Sequence, residues 1–286
     1  MKALACALPQ QQGVPLSRFS CGEIAREVRE RGIAARISTA TVWRWLSEDA
    51  IRPWRYRSWI FSSDPAFQEA AGRVLDLYHD SWEGEALGPD EYVISADEKT
   101  SIQARRRLHV SLPPGPGKAL RVEHEYERQG ALTYLAAWEV RGGKIYGRLE
   151  ENNGIEPFGR LVEQVMSREP YRSAKRVFWI MDNCSSHRGQ RCALRLKQAW
   201  PNLEVVHLPV HASWLNQIEI YFSILQRKVL TPNDFVSLPV LSERILAFEA
   251  RYGQIAHPFE WKFTRQDLSR LIAKLSAQPS PLTKAA

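Results

Sequence analysis

Three acids sit where a carboxylate contributes nothing to a hydrophobic core. Asp97 lies in EYVISADEKT, Asp182 closes RVFWIMDN, and Glu219 lies in SWLNQIEIYFSILQRK. In the second stretch five apolar residues, Val177 to Met181, end abruptly in the acid. Open α/β sheets place their chemistry outside the carboxyl ends of the strands, near the switch in strand order. If the strands carrying Asp97 and Asp182 are parallel neighbours, about 5 Å apart, the two acids face one point. Two carboxylates at such a point repel and shift each other's pKa, and a divalent cation relieves the repulsion. Oxygen-only donors with room for water suit Mg²⁺ or Mn²⁺. Glu219 would complete the donor set from a helix whose packed face is Ile218, Phe222 and Leu225. Two alternatives stay open. Glu98 competes with Asp97, since alternation sends the pair to opposite faces and does not say which faces the site. Asp182 also reads as a strand-end aspartate capping the next helix.

The elements that must deliver these acids can be read from periodicity. EYVISADEKT (91–100), ALTYLAAWEV (131–140) and GKIYGRL (143–149) read as strands, the last two separated by an Arg141-Gly142 hairpin signal. Gly154 to Arg168 has helical spacing through Phe158, Leu161, Val162 and Val165. A strand (176–183), a helix (Gln190 to Trp200), a strand (203–209) and one helix from Ser213 to Val229 follow. Three strands, helix, strand, helix, strand, helix is the order of an α/β layered core: an antiparallel meander followed by right-handed crossovers.

The front of the chain differs. Ser20 with Glu23 three residues on is a capping-box pattern, Ile24 and Val28 share a face, and Gly32 is a natural stop. Ser38 can cap a second helix, Thr39 to Asp49, with Val42 and Leu46 four apart. Two short helices with Arg36, Thr41 and Arg44 nearby suit a helix-turn-helix DNA-binding unit, or a generic helical hairpin. RPWRYRSW (52–59) interleaves Arg52, Arg55 and Arg57 with aromatic rings, a pattern for a segment lying along phosphates or for a linker anchored by tryptophans. Asp64 to Trp82 reads as one amphipathic helix and EGEALGPD (83–90) as a linker.

Bulk properties agree with a polyanionic partner. Formal charge is +7 over 286 residues, and residues 1–60 hold ten Lys or Arg against five Asp or Glu. No stretch approaches the roughly 18 apolar residues of a membrane helix, and the apolar run in MKALACAL is too short for a secretion signal. Cys6, Cys21, Cys184 and Cys192 form no CxxC pair and read as reduced cytosolic thiols. Cys184, His187 and Cys192 lack a clear fourth ligand for structural zinc.

In combination DEKT (97–100), IMDNCSSH (180–187) and SWLNQIEIYFSIL (213–225) resemble the DDE transposases of the mariner superfamily, most of all the bacterial insertion sequence 630-like branch. DPAFQEAAGRVLDLY (64–78) and PFEWKF (258–263) extend the resemblance to about residues 20–263, and 36 residues separate the second and third acids. The resemblance implies a ribonuclease-H-like fold, a mixed five-stranded sheet flanked by helices. It implies Asp97, Asp182 and Glu219 as a catalytic triad holding two Mg²⁺ (or Mn²⁺) ions about 4 Å apart. Asn183, His187, Asn216 and Lys99 would support the metal site or position DNA. Lys99, Arg105, Arg106 and Arg107 would touch the DNA backbone, or form a solvated basic edge. The implied activity is cleavage at element ends followed by 3′-OH strand transfer. The alternatives are a nuclease of this fold that does not transfer strands and a non-catalytic DNA-binding repressor. Expected partners are double-stranded DNA, both terminal repeats and target, and a second copy of the chain; LPPGPGK (112–118) lies where such a family assembles its dimer. Expected localisation is the bacterial cytoplasm, at the nucleoid. The expected organisation is a helix-turn-helix region (1–60), a connecting helix and linker (61–90), the catalytic domain (91–235) and a helical segment with a disordered tail (236–286). Relatives carry a longer front end with a second helix-turn-helix unit. The expectation is therefore a truncated N-terminal region, its first helix missing unless residues 2–12 supply it.

Overall fold

The computed structural model describes residues 1–55, 64–182 and 190–276. The chain forms two compact units, Met1–Phe61 and Ser62–Ala286.

In the first unit, α1 (Lys2–Ala5) is a single turn, followed by a 3-10 turn (Pro9–Gln12), α2 (Cys21–Glu30) and α3 (Thr39–Glu48). The capping box forms: Ser20 Oγ accepts the Glu23 N–H at 3.2 Å and Glu23 accepts the Ser20 N–H at 2.6 Å. Ser38 Oγ accepts the Thr41 N–H at 3.1 Å. Gly32 takes φ +66°, the left-handed turn that lets the chain leave α2. Leu4 and Ala5 join Ile24, Ala25, Val28, Val42 and Leu46 in one buried cluster, so residues 2–5 do supply a helical turn to the helix pair.

The second unit begins with α4 (Phe67–Tyr78) and a two-stranded hairpin, β1 (Ser81–Trp82) and β2 (Glu85–Ala86). Glu83 and Gly84 both have positive φ, the geometry of a two-residue hairpin turn. The helix expected to run to Trp82 therefore stops four residues early, and part of the expected linker is paired strand. The main sheet contains β3 (Glu91–Arg107), β4 (Tyr126–Glu139), β5 (Lys144–Glu150), β6 (Arg176–Met181) and β7 (Leu203–His207), in the order β5-β4-β3-β6-β7. The meander is antiparallel, while β6 is parallel to both β3 and β7. Helices α5 (Ile155–Met166), α6 (Gln190–Ala199), α7 (Ile218–Lys228), α8 (Leu238–Gly253) and α9 (Arg265–Ser276) complete the unit.

Both sheet faces are buried, which explains why β6 reads as a continuous apolar run rather than an alternating one. Val93, Phe178 and Ile180 pack in one cluster with residues of α4, α7 and α8, and with Leu268 of α9. Ile94, Ala96 and Trp179 pack in the other with residues of α5 and with Leu196 of α6. Helices outside 91–235 thus share the sheet's own core. β3 runs seven residues beyond its expected end because a register shift between Lys99 and Ile102, with Ser101 at φ +56°, absorbs a break in alternation. The helix expected over 213–229 is also broken. Ser213–Leu215 is a 3-10 turn, Asn216 is extended at φ −82° and ψ 111°, and α7 starts afterwards.

On the α8 side of the sheet, Tyr134 donates to Glu249 at 2.6 Å, and the Gly147 N–H donates to the same carboxylate at 3.2 Å. A Cβ at Gly147 would overlap the Tyr134 hydroxyl and stand 2.5 Å from Glu249 Oε2. Gly147→Ala is expected to destabilise the protein by about 1–3 kcal/mol through overpacking. A urea denaturation midpoint equal to that of the unsubstituted chain would contradict this.

Candidate active site

The parallel β3–β6 register pairs Glu91 with Arg176 and Ser95 with Ile180. Carried two residues further, it sets Asp97 level with Asp182, the residue after the last one of β6. Oxygens of Asp97, Glu98 and Asp182 lie within 4.8 Å of one another. Asp97 is 8% exposed. One of its oxygens accepts the Glu98 N–H at 2.8 Å, the other the Asn216 side-chain N–H at 3.1 Å. Burial pushes the Asp97 carboxyl up to about 7, with the Asp182, Glu98 and Glu219 charges adding to the rise and the Glu98 N–H opposing it. Glu219, on the first turn of α7, is also raised, first by burial and then by Asp182, against the lowering effect of the Lys99 ammonium.

The structure therefore brings Asp97 and Asp182 together. It leaves Glu219 outside the 4.8 Å group, yet near enough that its charge acts on Asp97. Glu98 takes the third place in that group. Alternation alone assigns it to the opposite face, yet its carboxylate lies within 4.8 Å of those of Asp97 and Asp182.

Asn216 faces the acids because the backbone breaks there. Its amide donates to Asp97 and, at 3.1 Å, to the Ala96 carbonyl, and it is 1% exposed. Asn183 and His187 lie outside the described residues, as do Arg57 and Cys184, and the Cys192 side chain is likewise undescribed. Lys99 lines a polar crevice of about 240 Å³ together with Ser101, Gln103, Arg105, Gln226 and Asn233.

The three consecutive arginines differ in their partners, although Arg105 and Arg107 both lie over the Tyr126 ring. Arg105 stacks over Tyr126, 4.6 Å from the ring centre. Arg106 forms an exposed ion pair with Glu127 at 2.7 Å. Arg107 is spent on carbonyls, donating to Asn233 at 2.9 and 3.0 Å, Glu123 at 2.7 Å and His124 at 3.2 Å. In the first unit Arg36, Arg44, Arg52 and Arg55 are exposed, and Arg44 is flanked on α3 by exposed Trp43 and Trp45. The Thr41 hydroxyl lies 2.9 Å from Ser38 Oγ, at the start of the same helix.

The model of the DDE superfamily endonuclease family matches residues 92–241, a span that holds Asp97, Asp182 and Glu219. The chain belongs to that family. It is an enzyme of the DDE endonucleases, and its core has the ribonuclease-H-like fold of the mariner transposase Mos1. The Mos1 paired-end complex with manganese superimposes with a TM-score of 0.55 at 15% identity, covering 96% of this chain and 75% of that one. A pre-cleavage Mos1 transpososome gives 0.51 at 13% identity, with the same coverage of 96% and 75%. The Mos1 strand transfer complex gives 0.50 at 13% identity, over 96% and 76%. No curated protein matches the chain. The family match is coarser than the insertion sequence 630-like branch.

A carboxyl whose pKa is raised by folding stabilises the protein fully below its unfolded value and loses that contribution as pH rises through its folded value. For Asp97 the loss spans roughly pH 4 to 7. Without divalent metal, Asp97→Asn should therefore melt higher than the unsubstituted chain at pH 8, with the gap shrinking toward pH 4. A gap independent of pH, measured by thermal denaturation, would contradict the burial of a charged Asp97.

Proposed function

We propose that the chain is a mariner-type DNA transposase that cuts at the ends of a mobile element and joins the freed 3′-OH to target DNA. What supports this most is the acid pair Asp97 and Asp182 on neighbouring parallel strands, inside the span matched by the endonuclease family and in the fold of Mos1. Mos1 itself is seen in paired-end, pre-cleavage and strand-transfer complexes.

The donor set fits Mg²⁺ or Mn²⁺. Among the described residues the groups that cluster there, Asp97, Glu98 and Asp182, are all carboxylates, and the part of the Asp97 rise that their charges add to burial is the repulsion a divalent ion cancels. Asp97, Asp182 and Glu219 would hold two such ions, with Glu98 as a further donor. When bound, the ions make water nucleophilic at neutral pH and neutralise charge on the scissile phosphate and its leaving oxygen. The chain's own residues do the rest. Asn216 fixes the rotamer of Asp97 by donating to one carboxylate oxygen. Lys99 and Arg105, both lining the crevice, offer cations to the DNA backbone. Hydrolysis breaks the bond from phosphorus to the 3′ oxygen and leaves a 3′-OH, which then displaces a 3′ oxygen in the target. No protein nucleophile is required.

The first unit, with exposed Arg36, Arg44, Arg52 and Arg55, would hold the terminal repeats, and two copies of the chain would pair the two ends. Among the described residues no helix is long and apolar enough to cross a membrane. The proposed site of action is nucleoid DNA in a bacterial cytoplasm.

The test is a labelled element-end oligonucleotide incubated with plasmid and Mg²⁺. The reading predicts joined product, and its loss in both Asp97→Ala and Asp182→Asn with DNA binding retained. Hydrolysis without joining would favour the nuclease reading, and activity in either variant would remove the acid pair from the chemistry. DNA affinity should also fall steeply with salt, through counterion release. Arg44→Gln should lower the slope of log affinity against log salt by about 1. An unchanged slope would take Arg44 off the phosphates.

A further inference from the structure

Two buried or half-buried hydroxyls, of Ser95 and Tyr78, hold the segment that carries Asn216 and Glu219. Ser95 lies on β3 two residues before Asp97 and is 0% exposed. Its hydroxyl donates to the Asn216 side-chain oxygen and accepts the Ile218 N–H at 3.0 Å. Asn216 in turn reaches Asp97 with its amide, and its carbonyl accepts the Glu219 N–H at 3.1 Å. A single hydroxyl thus ties the strand that carries the first acid to the helix start that carries the third.

Tyr78, on the last turn of α4, clamps the same segment from outside the sheet. Its hydroxyl donates to the Leu215 carbonyl at 2.7 Å and accepts the Gln217 N–H at 3.3 Å. The residues on both sides of Asn216 are therefore held by one phenol. The Tyr78 ring is itself backed by Trp261, 5.2 Å away between ring centres, from a late segment whose Phe263 packs on Trp214 of the 3-10 turn. These bonds account for the break before α7. A continuous helix over 213–229 would keep the Leu215 and Gln217 backbone groups for its own ladder and turn Asn216 away from Asp97.

We infer that Ser95 and Tyr78 are positioning residues of the catalytic centre: their hydroxyls set where Asn216 and Glu219 stand relative to Asp97, and so set the affinity for divalent metal. The inference rests on the metal-dependent reading above and adds two side chains that touch neither metal nor DNA. Groups that orient metal ligands without binding the ion are generally worth about 10–100-fold in affinity.

The experiment uses the full chain and Mn²⁺ as probe. Direct Mn²⁺ binding is read by electron paramagnetic resonance without DNA, and the Mn²⁺ dependence of cleavage is read separately. Tyr78→Phe and Ser95→Ala should each weaken Mn²⁺ binding by about tenfold. They should shift the Mn²⁺ midpoint of cleavage to match, with the rate at saturating Mn²⁺ nearly restored and metal-free DNA binding unchanged. Unaltered Mn²⁺ binding in both variants overturns the inference. So does a loss of rate that saturating Mn²⁺ does not recover, since that is the mark of a general structural defect. If Ser95→Ala fails to melt cooperatively, the near-isosteric Tyr78→Phe decides alone. An unsubstituted chain that binds no Mn²⁺ removes the metal-dependent reading itself, and this inference with it, an outcome distinct from failure of the variants.

Discussion

The structure turns on two carboxylates held level on adjacent parallel strands, the first of them buried, and within reach of a third. The charged form of Asp97 works against the fold. Burial and mutual repulsion hold Asp97 near pH 7, far from an ordinary aspartate. Such a pair persists only where the surrounding framework over-determines it. Here the framework is a β3–β6 pairing buried on both faces, with aliphatic and aromatic side chains from two separate helix layers pressing on it. The apolar run before Asp182 is therefore a rigid arm, and its acid sits where the arm leaves the sheet.

A second consequence concerns α7. Its first turn carries Glu219, and its start is fixed by bonds from β3 and α4 rather than by a side-chain cap of its own. The third acid is thereby referenced to the first through a short path of buried polar groups. Few degrees of freedom remain between residues that are far apart in sequence. An active site built in this way draws its precision from rigid elements and from the hydrogen bonds behind them.

Much of this was legible in the sequence, and the exceptions have physical causes. β6 was readable because burial on both faces leaves an unbroken apolar run. The caps of α2 and α3 were readable because Ser20, Glu23 and Ser38 are local signals that need no tertiary partner. The far half of β3 was not readable, since the shift at Ser101 puts Lys99 and Ile102 out of step and the stretch ARRR carries no apolar alternation. The break before α7 was hidden for a related reason. Nothing in SWLNQIE forbids a helix, and the interruption comes from Ser95 and Tyr78, over 120 residues away. The 81–86 hairpin did carry a signal, Glu83-Gly84 between short strands, which the helical pattern before it outweighed. Arg105, Arg106 and Arg107 look equivalent as a string, and only the fold separates the exposed ion pair of Arg106 from the two cations over Tyr126, of which Arg107 also donates to backbone carbonyls. Glu98 shows the same limit at the site: alternation assigns it to the face opposite Asp97, but its carboxylate still joins those of Asp97 and Asp182.

The central claim, that this sheet edge is a divalent-metal centre, is tested most directly by locating Mn²⁺ through its anomalous scattering in crystals of the protein. Manganese is expected at Asp97 and Asp182, with Glu219 or Glu98 as a further donor. Manganese bound elsewhere at saturation, with Asp97 and Asp182 left unligated, would contradict it.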